Sequence, residues 1–130
     1  MRKLIILAIT VFFAFSSAGI CFAGAKANAR KGKYTYRKVY KSCHKRGEVE
    51  SATPLLSPDT KTMAQWDKVF DKVINNKDEN KPATELVDDD FFEQFKCKEE
   101  WSKLTGKDMI NVHAYLRAHA ADSPSPAKCK

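Results

Sequence analysis

A cysteine followed at once by a histidine, Cys43-His44, is the feature of this chain best suited to chemistry. A thiol can form a covalent bond, and imidazole is the commonest protein ligand for metals. Together they make the iron-binding half of a C-x-x-C-H haem attachment run. The place of the first cysteine holds a tyrosine, in Tyr40-Lys41-Ser42-Cys43-His44. Side chains of adjacent residues diverge, so this pair does not make a nucleophile–base dyad. The three histidines and four cysteines show no zinc spacing, and there is no glycine-rich phosphate loop. The acids Asp88, Asp89 and Asp90 point in different directions on a helix and read as its solvated start, favoured by the helix dipole. The residue types therefore speak for a binding or electron-transfer protein and against an enzyme.

The cysteines must be counted against the beginning of the chain. Met1-Arg2-Lys3 precedes a nearly unbroken apolar run from Leu4 to Ile20, and Ala23-Gly24-Ala25 follows. A positive start, an apolar run and small residues in an A-x-A pattern describe a secretory signal over residues 1–25, cleaved after Ala25. A retained membrane anchor is the competing reading, because the run is almost long enough to span. Cleavage leaves one small exported, periplasmic domain over residues 26–130, with no membrane span. It also leaves Cys43, Cys97 and Cys129 in an oxidising compartment. Three cysteines cannot all pair within one monomer, so one sulfur is free, joins a second chain or has another covalent role.

Of the 130 residues, 43% are apolar and 30% charged, which excludes a disordered polar tail or a collagen-like repeat. Without Arg2 and Lys3 the 23 basic residues fall to 21, against 16 acids. Their distribution is uneven. Residues 26–46 hold nine Lys/Arg and no acid, whereas residues 47–130 hold twelve basic and sixteen acidic groups. An exported protein rarely meets nucleic acid, so the basic start points to an acidic protein partner.

The elements that must position Cys43 and His44 are helical. Counting back from Tyr40 places Tyr36 four residues away and Gly32 eight, on one helix face. Gly32 is read as a close crossing point within that helix; the competing reading puts it in a loop before a helix starting near Tyr34. Thr62-x-x-Gln65 is a capping box before a stripe of Met63, Trp66, Phe70, Val73 and Ile74. Asn75 to Pro82 is a loop, Thr84 a candidate cap, and Phe91 and Phe95 sit one turn apart, as do Cys97 and Trp101. Thr105 and Asp108 start a last helix carrying Met109, Val112, His113, Leu116 and Ala120. No segment alternates with period two. The tail from Asp122 to Lys130, with Pro124 and Pro126, reads as extended.

Gly32, Tyr36 and Cys43-His44 at one end, and Ala114-Tyr115-Leu116 at the other, resemble the class I c-type cytochromes. The first helix of that family carries a glycine, an aromatic four residues on, and the first haem cysteine four further. The resemblance covers the ends of residues 32–121, and the middle only by general type. It implies an all-α domain of about four helices around one haem c and its iron. Cys43 would hold the haem by a single thioether, and Tyr40 would pack where the second vinyl group is normally captured. His44 would be an axial iron ligand, with the Pro54 carbonyl accepting from its other ring nitrogen. Met63 would be the second axial ligand, with His113 as the alternative and Met109 as a further methionine. His119 reads as a cation at the helix end. The family's methionine usually falls in the stretch that here runs from Glu85 to Phe95, which holds neither Met nor His. An open iron position is therefore also possible.

If Cys43 carries haem, Cys97 and Cys129 are left to pair and would pin the tail to the domain. The alternative is that Cys43 pairs with one of them and no haem is attached. The function implied by the resemblance is one-electron transfer, with the basic rim at Lys38, Lys41, Lys45 and Arg46 steering acidic redox proteins to the haem. Two other readings use the same scaffold: a haem-free helical adaptor, and a haem-based sensor of small ligands.

Overall fold

The absence of any acid from residues 26–46 would weaken a helix N-terminus, and a side chain compensates for it. Asn28 caps the first helix, accepting from the Lys31 backbone N–H at 3.0 Å. The helix, α1, runs Ala29–Arg46. It ends where Gly47 takes a left-handed conformation, φ 88°, with its N–H turned back to the Cys43 and His44 carbonyls. Lys45 and Arg46 lie in the last turn, where the helix dipole favours cations. These observations come from a computed structural model that describes residues 27–126. The signal segment expected over residues 1–25, and Cys129, lie outside the described residues.

Gly32 is inside α1, not in a loop before it. A Cβ there would stand 1.8 Å from the Asn111 carbonyl oxygen and 2.8 Å from the Val112 nitrogen. No side chain fits, so glycine sets how closely α1 and the last helix cross. Asn28 closes the same crossing, its N–H donating to Asn111 Oδ1 at 2.8 Å.

The last helix, α6, runs Gly106–Ala118. It opens on the expected Thr105–Asp108 capping box, in which the Thr105 N–H donates to Asp108 Oδ2 at 3.1 Å. Met109, Val112, Leu116 and, just beyond, Ala120 are fully buried. Between α1 and α6 the chain forms α2 (Met63–Val69), α3 (Asp71–Asn75), α4 (Asp89–Phe95) and α5 (Lys98–Ser102), with 3₁₀ turns at Pro58–Thr60 and Ala83–Glu85. The fold is all-α, and among the described residues there is no β-strand, only an isolated bridge between Pro82 and Thr105.

Among the described residues six α-helices stand where about four are expected, for local reasons. The stripe from Met63 breaks at Phe70, whose φ of −100° and ψ of 21° end α2 and begin α3. The kink turns Ile74 outward, leaving it 47% exposed, while Phe70 and Val73 stay in the core. Thr84 lies within the second 3₁₀ turn and Asp88 takes the cap position of α4. Cys97 has a left-handed backbone, φ 61°, and with Lys96 at φ 56° it divides α4 from α5. Non-glycine residues enter this region at a cost, so something must hold Cys97 there.

The core is aromatic. Trp66, Trp101, Tyr36, Tyr40, Phe70 and Phe95 are all fully buried. Phe91 stacks on Phe95 with ring centroids 4.2 Å apart and meets Trp101 edge-on at 5.0 Å. Tyr36 meets Tyr40 edge-on at 5.4 Å and Tyr115 at 6.2 Å. Such pairs add about 0.5–1.5 kcal/mol each beyond area burial.

Candidate functional site

What holds Cys97 is a covalent bond to Cys43. Their sulfurs are 2.17 Å apart and their Cα atoms 5.7 Å, and both residues are fully buried. This corrects two expectations. Cys97 does not pair with Cys129, and the Cys43 sulfur is not available for a thioether. The reason is placement: the last turn of α1 delivers Cys43 to the α4–α5 junction, where the left-handed backbone aims Cys97 at it. Of the two pairings left open, the structure has the one in which Cys43 itself is bridged, to Cys97.

A charged cluster covers this bond. Glu48 Oε2 accepts from the Cys97 backbone N–H and lies 3.7 Å from Cys43 Sγ. Arg46 Nη2 donates to Glu48 Oε1 at 3.0 Å and to Glu100 Oε1 at 2.6 Å. Arg46 Nε donates to Glu100 Oε2 at 3.1 Å, and Glu99 Oε2 lies at the same distance. Glu100 is buried, and its hydrogen bonds to Arg46 hold its carboxyl below the usual carboxylate range. The same bonds push the Arg46 guanidinium further up. The sequence places Arg46 in the basic rim expected to steer acidic proteins, whereas here it is bound up with three acids of its own chain. Sequence patterning missed Glu48 and Glu100, because neither sits in a motif and both are brought in by folding.

The remaining candidates have partners of their own. Tyr40 is fully buried and donates to the Phe95 carbonyl at 2.7 Å; burial pushes its hydroxyl well above its ordinary pKa. His44 is exposed, and its Nδ1 meets the carbonyl of Val49 at 3.1 Å, so Pro54 is not its partner. Met63 is partly buried against the core at the start of α2, its backbone N–H donating to Asp122 Oδ1 at 2.7 Å. Met109 is a fully buried core residue. His113 Nε2 is bonded to Asp67 Oδ1 at 2.7 Å, and its ring packs 5.5 Å from Phe70. Burial lowers its pKa, outweighing the opposing pull of Asp67. His119 Nδ1 faces the Ser125 carbonyl at 2.8 Å. His44, Met63 and His113 thus each answer to a different neighbour.

These residues do not fit a covalently held haem. The thiol that would add to a vinyl group is consumed, and the aromatic side chains around it pack against one another. A groove of about 910 Å³ does open elsewhere, lined by Val69, Ile74, Leu86, Val87 and His113 with charges at its rim. Cys43, His44, Tyr40, Pro54 and Met63 are not among its lining residues.

The exposed side of α1 is the other distinctive surface. Arg30, Lys31, Lys33, Arg37, Lys38, Lys41, Lys45 and Arg46 lie along it, with no acid anywhere in the helix. Among the described residues, Arg46 alone of these eight makes an ion pair. Tyr34 stands among the cations, 67% exposed. No protein-family model, curated protein or solved structure matches the chain.

Proposed function

We propose that this chain is a haem-free exported binding module, not an enzyme, that docks an acidic protein through the cationic face of α1. The observation that carries this reading is that face: eight basic side chains in 18 residues, seven of them without an ion pair among the described residues. A field of one sign on a rigid helix raises the encounter rate with an oppositely charged partner. Tyr34, exposed among the cations, supplies the aromatic anchor that protein interfaces favour. Export is supported by the signal-like N-terminus and by a buried disulfide, which persists in oxidising compartments. Among the described residues no helix is long and apolar enough to cross a membrane.

Electron transfer through a covalently attached haem would need Cys43 as a free thiol. The disulfide and the aromatic packing around Tyr40 support the haem-free reading instead. The test is expression in cells that attach haem, followed by an absorption spectrum and a binding assay on immobilised polyglutamate. The expected protein is colourless and binds polyglutamate with an affinity that falls steeply with salt. A Soret band that survives denaturation sinks the haem-free part. Retention on polyglutamate that is indifferent to salt, or unchanged by Arg37→Glu with Lys41→Glu, sinks the docking part.

A further inference from the structure

The Cys43–Cys97 bond is surrounded by more ligating groups than a structural disulfide needs. The sulfurs of Cys43 and Cys97 and a carboxylate oxygen of Glu100 all lie within 4.8 Å of one another. Glu48 Oε2, at 3.7 Å from Cys43 Sγ, brings a second carboxylate near that sulfur. As a disulfide the two sulfurs are poor donors. As a dithiol they would be two thiolates beside two carboxylates, the S₂O₂ set that suits a tetrahedral zinc-class cation. We propose that reduction converts this disulfide into a binding site for a single zinc-class divalent cation, held by Cys43, Cys97, Glu100 and Glu48. This inference rests on Cys43 carrying no haem.

Several features prepare the site. Cys97 and Glu100 are three residues apart around the first turn of α5, so both reach the same point. Cys43 comes from the last turn of α1, so the site joins the ends of two helices. Two thiolates on one zinc, each about 2.3 Å from it, stand under about 4 Å apart. Arg46 already grips Glu48 and Glu100, fixing the carboxylates as an outer partner does around bound metals. The excess negative charge explains why the dithiol would seek a cation. Two thiolates beside Glu48, Glu99 and Glu100 face the single guanidinium of Arg46. Entry is from the Arg46 and Glu48 side, where both side chains are 35% exposed.

The balance is simple. A dithiol reductant gives two electrons to the Cys43–Cys97 bond and becomes a disulfide itself, leaving both cysteines as thiols. Cation binding then replaces the two thiol protons, which are released to solvent. Passing the two electrons back to a disulfide oxidant, which becomes a dithiol, re-forms the Cys43–Cys97 bond and releases the cation.

The test uses the exported chain with Cys129→Ser, so that only Cys43 and Cys97 can be reduced. The protein is reduced with a phosphine, freed of it without oxygen and titrated with Co²⁺, then Zn²⁺. Expected are thiolate-to-cobalt charge transfer and tetrahedral cobalt bands that saturate at one ion per chain and vanish with one Zn²⁺. The oxidised protein should show neither. Glu100→Gln should weaken binding at least tenfold, and Cys43→Ser should remove one thiolate from the charge-transfer intensity. If reduction melts the helices, Zn²⁺ must restore the helical circular dichroism; failure to do so overturns the inference. So does a reduced protein that gives no cobalt spectrum, or one whose affinity is untouched by Glu100→Gln. A Soret band in the same sample would overturn the haem-free reading as well, whereas cobalt failure in a colourless sample overturns this inference alone.

Discussion

At the scale of single residues, Gly32 is the sharpest case. In an exposed helix, Gly→Ala stabilises by about 1 kcal/mol through backbone entropy and propensity. Here the new methyl would stand 1.8 Å from a backbone oxygen of α6, and backbone cannot swing aside. Gly32→Ala should therefore destabilise by about 1–3 kcal/mol or more, measured by urea unfolding. A stabilised variant would mean that the crossing is loose. His113 makes a second case, through pH. Burial lowers its folded pKa below the unfolded value, so the unfolded chain binds the proton more readily. Stability should be highest above about pH 6.5 and fall as the pH drops from there toward the folded pKa. Replacing His113 with Asn should flatten that part of the curve; an unchanged slope would assign it to another group.

At the scale of elements, the disulfide staples the end of α1 to the start of α5. It closes a loop with a sequence separation of 54. In the chain-entropy account that is worth roughly 4 kcal/mol. The Cys43→Ser, Cys97→Ser double variant should lose stability of that order, and peptide mapping of the unreduced protein should recover residues 43 and 97 in one linked fragment. A map that links Cys97 to Cys129 would reverse the assignment. The two ends of the fold were legible in sequence because their signals are local. A Thr105–Asp108 box and a glycine four residues before an aromatic each report on one helix. The pairing of Cys43 with Cys97 was not legible, because it depends on the left-handed turn at Lys96 and Cys97, which no glycine or proline announces. The kink at Phe70 was hidden likewise: the apolar period runs through it unbroken, and only packing shows that Ile74 faces outward. Glu48 and Glu100 read as ordinary surface acids until folding placed them beside two sulfurs.

At the scale of the whole molecule, charge is segregated, and the segregation costs stability. Lys33, Arg37, Lys41 and Lys45 follow one another at four-residue intervals on the exposed side of α1. Each like-charged neighbour pair at this spacing opposes the helix by about 0.2–0.5 kcal/mol. A sequence under pressure for stability alone would alternate the signs. The pattern is what a docking face requires, and the two demands can be separated in one variant. Lys41→Glu converts two repulsive pairs, with Arg37 and Lys45, into attractive ones. At low salt it should raise stability by about 1 kcal/mol. The gain should shrink as salt rises, since exposed pairs are screened within about 10 Å at 0.1 M. The same variant should lose affinity for polyglutamate. Stability and binding moving in opposite directions would mark α1 as a surface kept for its partner. If Lys41→Glu lowers both at low salt, Lys41 is part of the scaffold and the docking face must lie elsewhere on the molecule.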